Sequence, residues 1–149
     1  MFRQIAISVA CVALLGGCSY VYDLTAVVQN GQLMFVVSPT SSQKPECLRD
    51  IEVTEEGGQR NTLWSESVSY DDYCANKFPI IYGKSLEGQR QQDRKEVQAM
   101  PLRQGVIYNV STTTDATGYG GGRFLIRADG HVENLPWPST NAHGNAAAP

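Results

Sequence analysis

The sequence predicts an all-β domain, a β-sandwich of about seven strands. Short runs of alternating apolar and polar residues recur between residues 20 and 135, and such runs are typical of half-buried strands. Gly, Asn, Asp and Pro fall between the runs, where turns require them. The polar segment 87–98 lacks a convincing apolar stripe, so we interpret it as a solvated loop with at most a short helix.

The first two strands form a predicted hairpin. Residues 22–28 alternate between apolar and other side chains, and residues 33–37 follow as a second strand. Asn30 and Gly31 separate them, and this pair is a strong hairpin signal because both turn positions need a positive φ. Residues 33–37 carry apolar side chains on both faces, which indicates a strand that is buried on both sides.

Three further strands are predicted in the middle of the chain. A loop rich in Ser, Thr and Pro over residues 39–45 precedes them. The strands themselves are residues 49–54, 61–69 and 80–82, and residues 70–74 form an irregular connection.

The last strands are separated by glycine-rich connections. Residues 108–112 alternate as a strand does, and residues 112–122 consist mainly of Thr and Gly, which indicates a loop. Residues 123–127 and 132–135 then form a hairpin around Asp129-Gly130. Pro136-Trp137-Pro138 closes the predicted domain, and the small, polar residues 139–149 are expected to be disordered.

Three residues before the sixth strand resemble a motif of fibronectin type III modules. Leu102, Gly105 and Tyr108 have the spacing of a leucine, a glycine and a tyrosine that enter a strand in those modules. The resemblance implies an immunoglobulin-like sandwich in which the tyrosine hydroxyl bonds to upstream backbone at a corner. An ordinary half-buried strand tyrosine is the alternative, and Trp64 lies later than the core tryptophan of such modules.

The first 17 residues have the pattern of a signal peptide. Arg3 precedes an apolar run of about 11 residues, whereas a membrane-spanning helix needs about 20. Leu15-Gly16-Gly17-Cys18 resembles the lipobox of bacterial lipoproteins. The resemblance implies cleavage before Cys18 and lipid on its thiol. An ordinary secretory signal that is cut elsewhere is the alternative.

This resemblance also implies where the protein is located. Each buried methylene contributes about 0.8 kcal/mol and one acyl chain anchors only marginally, so the two or three chains of a lipoprotein cysteine should hold stably. Ser19 follows the cysteine. In Gram-negative lipoproteins an aspartate there favours the inner membrane, and its absence points to the outer membrane, on its periplasmic face or at the surface.

The cysteine pattern predicts one disulfide in the domain over residues 19–138. Cys11 leaves with the leader and Cys18 takes lipid, so Cys47 and Cys74 are left in an exported domain. Two unpaired buried cysteines are the alternative. Zinc is disfavoured because no Cys or His lies at ligand spacing near either one.

Charge and residue types exclude several functions. The net charge is −3, whereas a nucleic-acid-binding domain usually carries an excess of basic residues. His131 follows the turn at Asp129 without a nearby nucleophile, so we interpret it as an exposed turn residue. Asp71-Asp72 lacks the oxygen-rich spacing that calcium prefers and is interpreted as an acidic turn. We therefore expect no catalytic residue, metal or other cofactor.

One candidate binding loop emerges within the Thr/Gly segment. Thr117, Tyr119 and Arg123 lie in or beside it, and Tyr and Arg are enriched at binding hot spots. A flexible hairpin connection is the alternative interpretation.

Three function hypotheses follow. The first is a non-enzymatic, membrane-anchored envelope lipoprotein whose sandwich binds or braces another envelope protein. The second is an inhibitor of a lysozyme-type hydrolase that inserts residues 117–123 into the target cleft. The third is an enzyme of unfamiliar class, for which Asp129 and His131 are the candidates.

Overall fold

Eight β-strands provide the regular secondary structure of the residues that the computed structural model describes, which are 18–57, 61–70 and 73–138. The strands are β1 (Tyr20–Gln29), β2 (Gln32–Val37), β3 (Asp50–Glu55), β4 (Asn61–Ser67), β5 (Ile80–Ile81), β6 (Ile107–Thr114), β7 (Gly118–Ile126) and β8 (Val132–Asn134). The all-β prediction is confirmed. The predicted leader 1–17, the Asp71-Asp72 turn and the tail 139–149 lie outside the described residues.

The strands join in one curled, mixed sheet. Their order is β4-β3-β6-β7-β1-β2-β5, with β8 paired to β7. Every pairing is antiparallel except that of β1 with β7. β1 pairs with β7 over residues 20–23 and with β2 over residues 24–29. This change of partner within one strand turns the sheet back toward itself.

The curl brings the inner faces of distant strands together in one core. The Phe35 ring on β2 lies 5.6 Å from the Phe124 ring on β7, and the Trp64 ring on β4 lies 5.3 Å from the Tyr82 ring after β5. Phe35, Trp64 and Phe124 are fully buried. Burial of one such side chain contributes roughly 1.5–3 kcal/mol, so these contacts hold the two ends of the sheet against each other.

The polar segment that was predicted as a solvated loop covers the free edge of β4. The backbone groups of Ser65 and Val97 exchange two hydrogen bonds of 2.9 Å, and Met100 N–H donates to Leu63 O. The buried carboxylate of Glu66 accepts hydrogen bonds from Leu86 N–H at 2.7 Å and from Arg90 at 3.0 Å. Most side chains of residues 87–98 are exposed as expected, but their backbone removes an unpaired sheet edge.

The predicted Thr/Gly loop over residues 112–122 is wrong. β6 continues to Thr114, β7 begins at Gly118, and only residues 115–117 form a turn. Gly120 and Gly122 of β7 are buried in the sheet. The glycines belong to the strand because aromatic and backbone groups of β1 occupy the space where side chains would lie.

Tyr108 makes the contact that the corner interpretation requires. Its ring is 1% exposed, and its hydroxyl accepts a 2.8 Å hydrogen bond from Arg103 N–H while lying 3.3 Å from Arg103 O. Gly105 between them has a φ of 73°, a value that a glycine adopts without strain. Leu102 packs against the core beside it.

The predicted disulfide between Cys47 and Cys74 is present, with a Cα–Cα distance of 5.4 Å. It joins the segment before β3 to the segment before β5. The alternative of two unpaired cysteines is therefore wrong.

Replacing both Cys47 and Cys74 with alanine is expected to lower the free energy of unfolding by about 3.5 kcal/mol. The bridge closes a loop with a sequence separation of 27 residues, and opening it frees the unfolded chain. Urea unfolding of the two proteins measures the difference. The native protein with reductant should match the double variant, and equal midpoints for the oxidised native protein and the variant would contradict the expectation.

Candidate functional site

The outer face of β7 carries a half-exposed tryptophan on a glycine. Trp137 is 52% exposed, and a Cβ added at Gly121 would lie 2.8 Å from the indole Cζ2. The indole therefore lies directly over the backbone of Gly121. A side chain at position 121 would occupy the space that the indole fills. Residues 135–138, which carry Trp137, follow β8 across this face. We call Trp137, Gly121, Arg123 and Glu56 the Trp137 platform.

Arg123 holds the platform in place. Its Nη1 donates to Pro136 O at 3.0 Å, and its Nε and Nη2 bind the two carboxylate oxygens of Glu56 at 2.5 and 2.6 Å. The hydrogen bonds from Arg123 lower the pKa of Glu56, and those to Glu56 raise the pKa of Arg123. A bidentate pair of this kind fixes geometry as well as charge, so the Pro136–Trp137 backbone is positioned from the sheet below.

Two open clefts flank the indole. One has a volume of about 330 Å³ and is lined by Glu52, Glu56 and Asn109. The other has a volume of about 290 Å³ and reaches Asp23. The Oδ1 atom of Asn109 is buried and has no hydrogen-bond partner among the described residues. Buried acceptors are nearly always satisfied, so this atom is an exception among the described residues.

The structure separates the three residues of the predicted binding loop. Thr117 lies in the β6–β7 turn, where its carbonyl accepts a hydrogen bond from Tyr20 N–H at 3.0 Å. Tyr119 and Arg123 both lie in β7, about 13 Å apart at the rise of an extended strand. Only Arg123 belongs to the Trp137 platform. The segment therefore does not protrude as the loop that the hydrolase-inhibitor hypothesis requires.

Other candidate chemistry does not gather into a site. His131 is exposed, and its backbone N–H donates to the Asp129 carboxylate at 2.9 Å, a turn contact. Over residues 18–57, 61–70 and 73–138 no three His, Cys, Asp or Glu side chains converge so that they would hold a metal ion. The same residues include no helix that is long and apolar enough to cross a membrane.

Sequence reasoning missed Trp137, Glu56 and Asn109 as site residues. A signal for Trp137 was present, because the tryptophan stands between Pro136 and Pro138. Proline cannot donate a hydrogen bond to a neighbouring strand. A tryptophan between two prolines is therefore unlike a strand residue, whose side chain the sheet would direct into the core. The pairing of Glu56 with Arg123, which lies 67 residues away, has no local signal.

Comparisons with protein-family models, with curated proteins and with solved structures find no match for this chain.

Proposed function

We propose that the chain is a lipid-anchored protein of the bacterial cell envelope whose β-domain binds another envelope protein and catalyses no reaction. Residues 1–17 act as the signal peptide, and Cys18 carries palmitate-type acyl chains that lie in the outer membrane. The charge, the short apolar run and the small residues before Cys18 support this part of the proposal. Cys18 is exposed at the start of the described chain, where an acyl transferase would reach it.

The Trp137 platform is the observation that supports binding. Tryptophan is enriched among the few residues that dominate interface energetics, and the backbone that carries this indole is bonded to Arg123 through Pro136 O. Rigid presentation reduces the entropy that is lost on binding. The flanking clefts contain Asp23 and Glu52, so the proposed partner presents an apolar group surrounded by basic side chains.

An immunoglobulin-like arrangement of the strands is part of the proposal. In such domains strands C, F and G form one sheet, while strands A, B and E are neighbours in the other. The neighbours β3-β6-β7 and β1-β2-β5 follow the same order. Tyr108, near the start of the sixth strand, makes the hydroxyl-to-backbone contact of a tyrosine corner. Both features support a fibronectin type III-like sandwich that is joined through β1.

Photocrosslinking in living cells tests the proposed function. A photoreactive phenylalanine at position 137 is expected to yield an adduct of one reproducible mass, whose partner mass spectrometry identifies. The same probe at exposed position 131 serves as the control and should yield much less of this adduct. Equal adduct patterns at the two positions would contradict a role for the platform.

Trp137→Ala is expected to weaken binding of that partner by about 2 kcal/mol, which is roughly thirtyfold. Gly121→Val should weaken it as well, because the new side chain would displace the indole. Val28→Ala removes a comparably exposed apolar side chain, 50% exposed, and should leave affinity unchanged. Titration of the partner onto the purified variants measures these differences, and unaltered affinity in Trp137→Ala would overturn the assignment.

A further inference from the structure

The described chain leaves almost no spacer between the proposed lipid site and the folded domain. Cys18 is followed by Ser19, and β1 begins at Tyr20. The backbone N–H of Tyr20 is already bonded to Thr117 O in the β6–β7 turn. Two residues span at most about 7 Å. A lipid on Cys18 would therefore hold this end of the domain, and no other, next to the membrane.

The dimensions of a bilayer indicate how close to the headgroups a lipid on Cys18 would hold Tyr20. The hydrocarbon core is about 30 Å thick and the whole bilayer about 40–45 Å, so the headgroup layer on each side measures roughly 5–7 Å. The acyl chains on Cys18 must lie in hydrocarbon. Cys18 joins these chains through its side chain, so Tyr20, at most about 7 Å from Cys18, lies close to the outer boundary of the headgroup layer.

The surface at this end is apolar and aromatic. Four of the seven exposed large hydrophobic side chains of the described residues lie here: Val21 at 72%, Tyr119 at 49%, Tyr70 at 59% and Tyr73 at 94% exposure. Val21 and Tyr119 are direct partners across β1 and β7. Tyrosine is enriched at membrane–water interfaces, where its ring meets apolar groups and its hydroxyl stays hydrated. We call these four side chains the anchor-end surface.

Contacts within the fold tie Tyr70 and Tyr73 to the same end. The guanidinium of Arg49 lies 3.9 Å from the Tyr70 ring centroid, and its Nη2 donates to the Tyr70 hydroxyl at 3.0 Å. Arg49 Nε donates to Asp115 O, in the β6–β7 turn, at 2.6 Å. Tyr73 precedes Cys74, whose disulfide partner Cys47 accepts a hydrogen bond from Thr114 through its carbonyl.

We propose that the anchor-end surface contacts the headgroups of zwitterionic phospholipids, so that the lipidated domain stands on the bilayer through its β6–β7 turn. This inference rests on the proposed lipid anchor at Cys18. Anionic headgroups suit the surface less well, because Asp115 is exposed in the turn. Arg49 is 8% exposed and committed to Tyr70 and Asp115.

The orientation has a consequence for the Trp137 platform. Gly121 lies three residues beyond the start of β7, so the platform is at most about 10 Å farther from the bilayer than that end of the strand. The opposite end, at β8 and His131, is at most about 25 Å farther from the bilayer than the start of β7. A partner that binds Trp137 would therefore approach close to the membrane and alongside it.

Depth measurements on the lipidated full chain in phosphatidylcholine vesicles test the inference. Single variants Val21→Cys and Tyr119→Cys report on the anchor end, and His131→Cys reports on the far end. With Cys18 acylated and Cys47 bonded to Cys74, the introduced cysteine is the reactive thiol that takes a nitroxide label. Electron paramagnetic resonance then measures how often each label collides with a water-soluble nickel complex.

Labels at positions 21 and 119 are expected to collide several-fold less often than the label at 131. The protection should disappear when the same proteins are measured in detergent-free buffer after enzymatic or chemical removal of the lipidated residue. Mass spectrometry of each sample records whether Cys18 carries lipid. If lipid is present and all three labels collide equally often, the membrane-contact surface is refuted while the lipid anchor stands. If lipid is absent, the anchor is refuted and the contact surface with it.

Discussion

Replacing Cys18 with serine is expected to abolish incorporation of a fatty-acid probe and to move the protein, once its leader is cut, from the membrane to the soluble fraction. The physical reason is that a single acyl chain supports an association constant of only about 10⁴ M⁻¹, whereas two or more chains hold stably. Serine offers no thiol to which the lipid would be attached, so the variant carries none of these acyl chains.

Two forms of the variant separate attachment from processing in this experiment. The serine variant behind the native leader measures acylation, and a version that an ordinary secretory leader exports from Ser19 onward measures release from the membrane. Ser19→Ala is the matched control, because it alters the neighbouring residue and should keep both probe and membrane attachment. A native protein that never incorporates the fatty-acid probe would refute the proposed lipid anchor.

Gly120→Val is expected to lower the free energy of unfolding by about 3–5 kcal/mol or to prevent folding. A Cβ at position 120 would overlap both the ring of Tyr22 and the Oγ1 of Thr112. These two groups cannot simply move aside. The Tyr22 hydroxyl is hydrogen-bonded to Thr112 Oγ1 at 2.7 Å and to Thr114 Oγ1 at 2.8 Å.

The penalty combines overpacking with the loss of buried hydrogen bonds. Burial raises the pKa of Tyr22, in keeping with a hydroxyl that solvent scarcely reaches, and a buried hydroxyl without its partners costs about 1–3 kcal/mol. Tyr119→Val introduces the same side chain one position earlier in β7, on the exposed face. It should change the free energy of unfolding by about 0.5 kcal/mol or less. Urea unfolding measures both variants, and a Gly120→Val protein as stable as Tyr119→Val would contradict the packing described here.

Most of the strands and the first hairpin turn could be predicted because their signals are local. Alternating side chains over residues 22–28 and 33–37 reflect the two faces of a strand, and Asn30-Gly31 supplies the positive φ values, 52° and 74°, that the hairpin uses. The Cys47–Cys74 disulfide was predictable by elimination, since the other two cysteines lie in the predicted leader and lipobox.

The glycine-rich part of β7 was mispredicted for a physical reason. Glycine lowers strand propensity when it is judged by its neighbours in sequence, so residues 118–122 resemble a loop. In the fold, Tyr20 and Tyr22 lie over Gly118 and Gly120, and these rings supply the packing that the missing side chains would have made. The two segments lie about a hundred residues apart, and no local pattern reports their contact.

The sequence by itself determined the all-β class, the order of the strands along the chain, the Asn30-Gly31 turn and the disulfide, because each depends on side-chain period, on turn-forming residues or on a count of residues. Only the tertiary structure decided which strands are neighbours, how residues 87–98 cover the edge of β4, and where Trp137 lies. Strand neighbours and the position of Trp137 depend on which side chains fill the space over each glycine. The cover over β4 depends on which backbone groups at the sheet edge lack hydrogen-bond partners. Both are properties of pairs of distant residues, and the chain acquires them only when it folds.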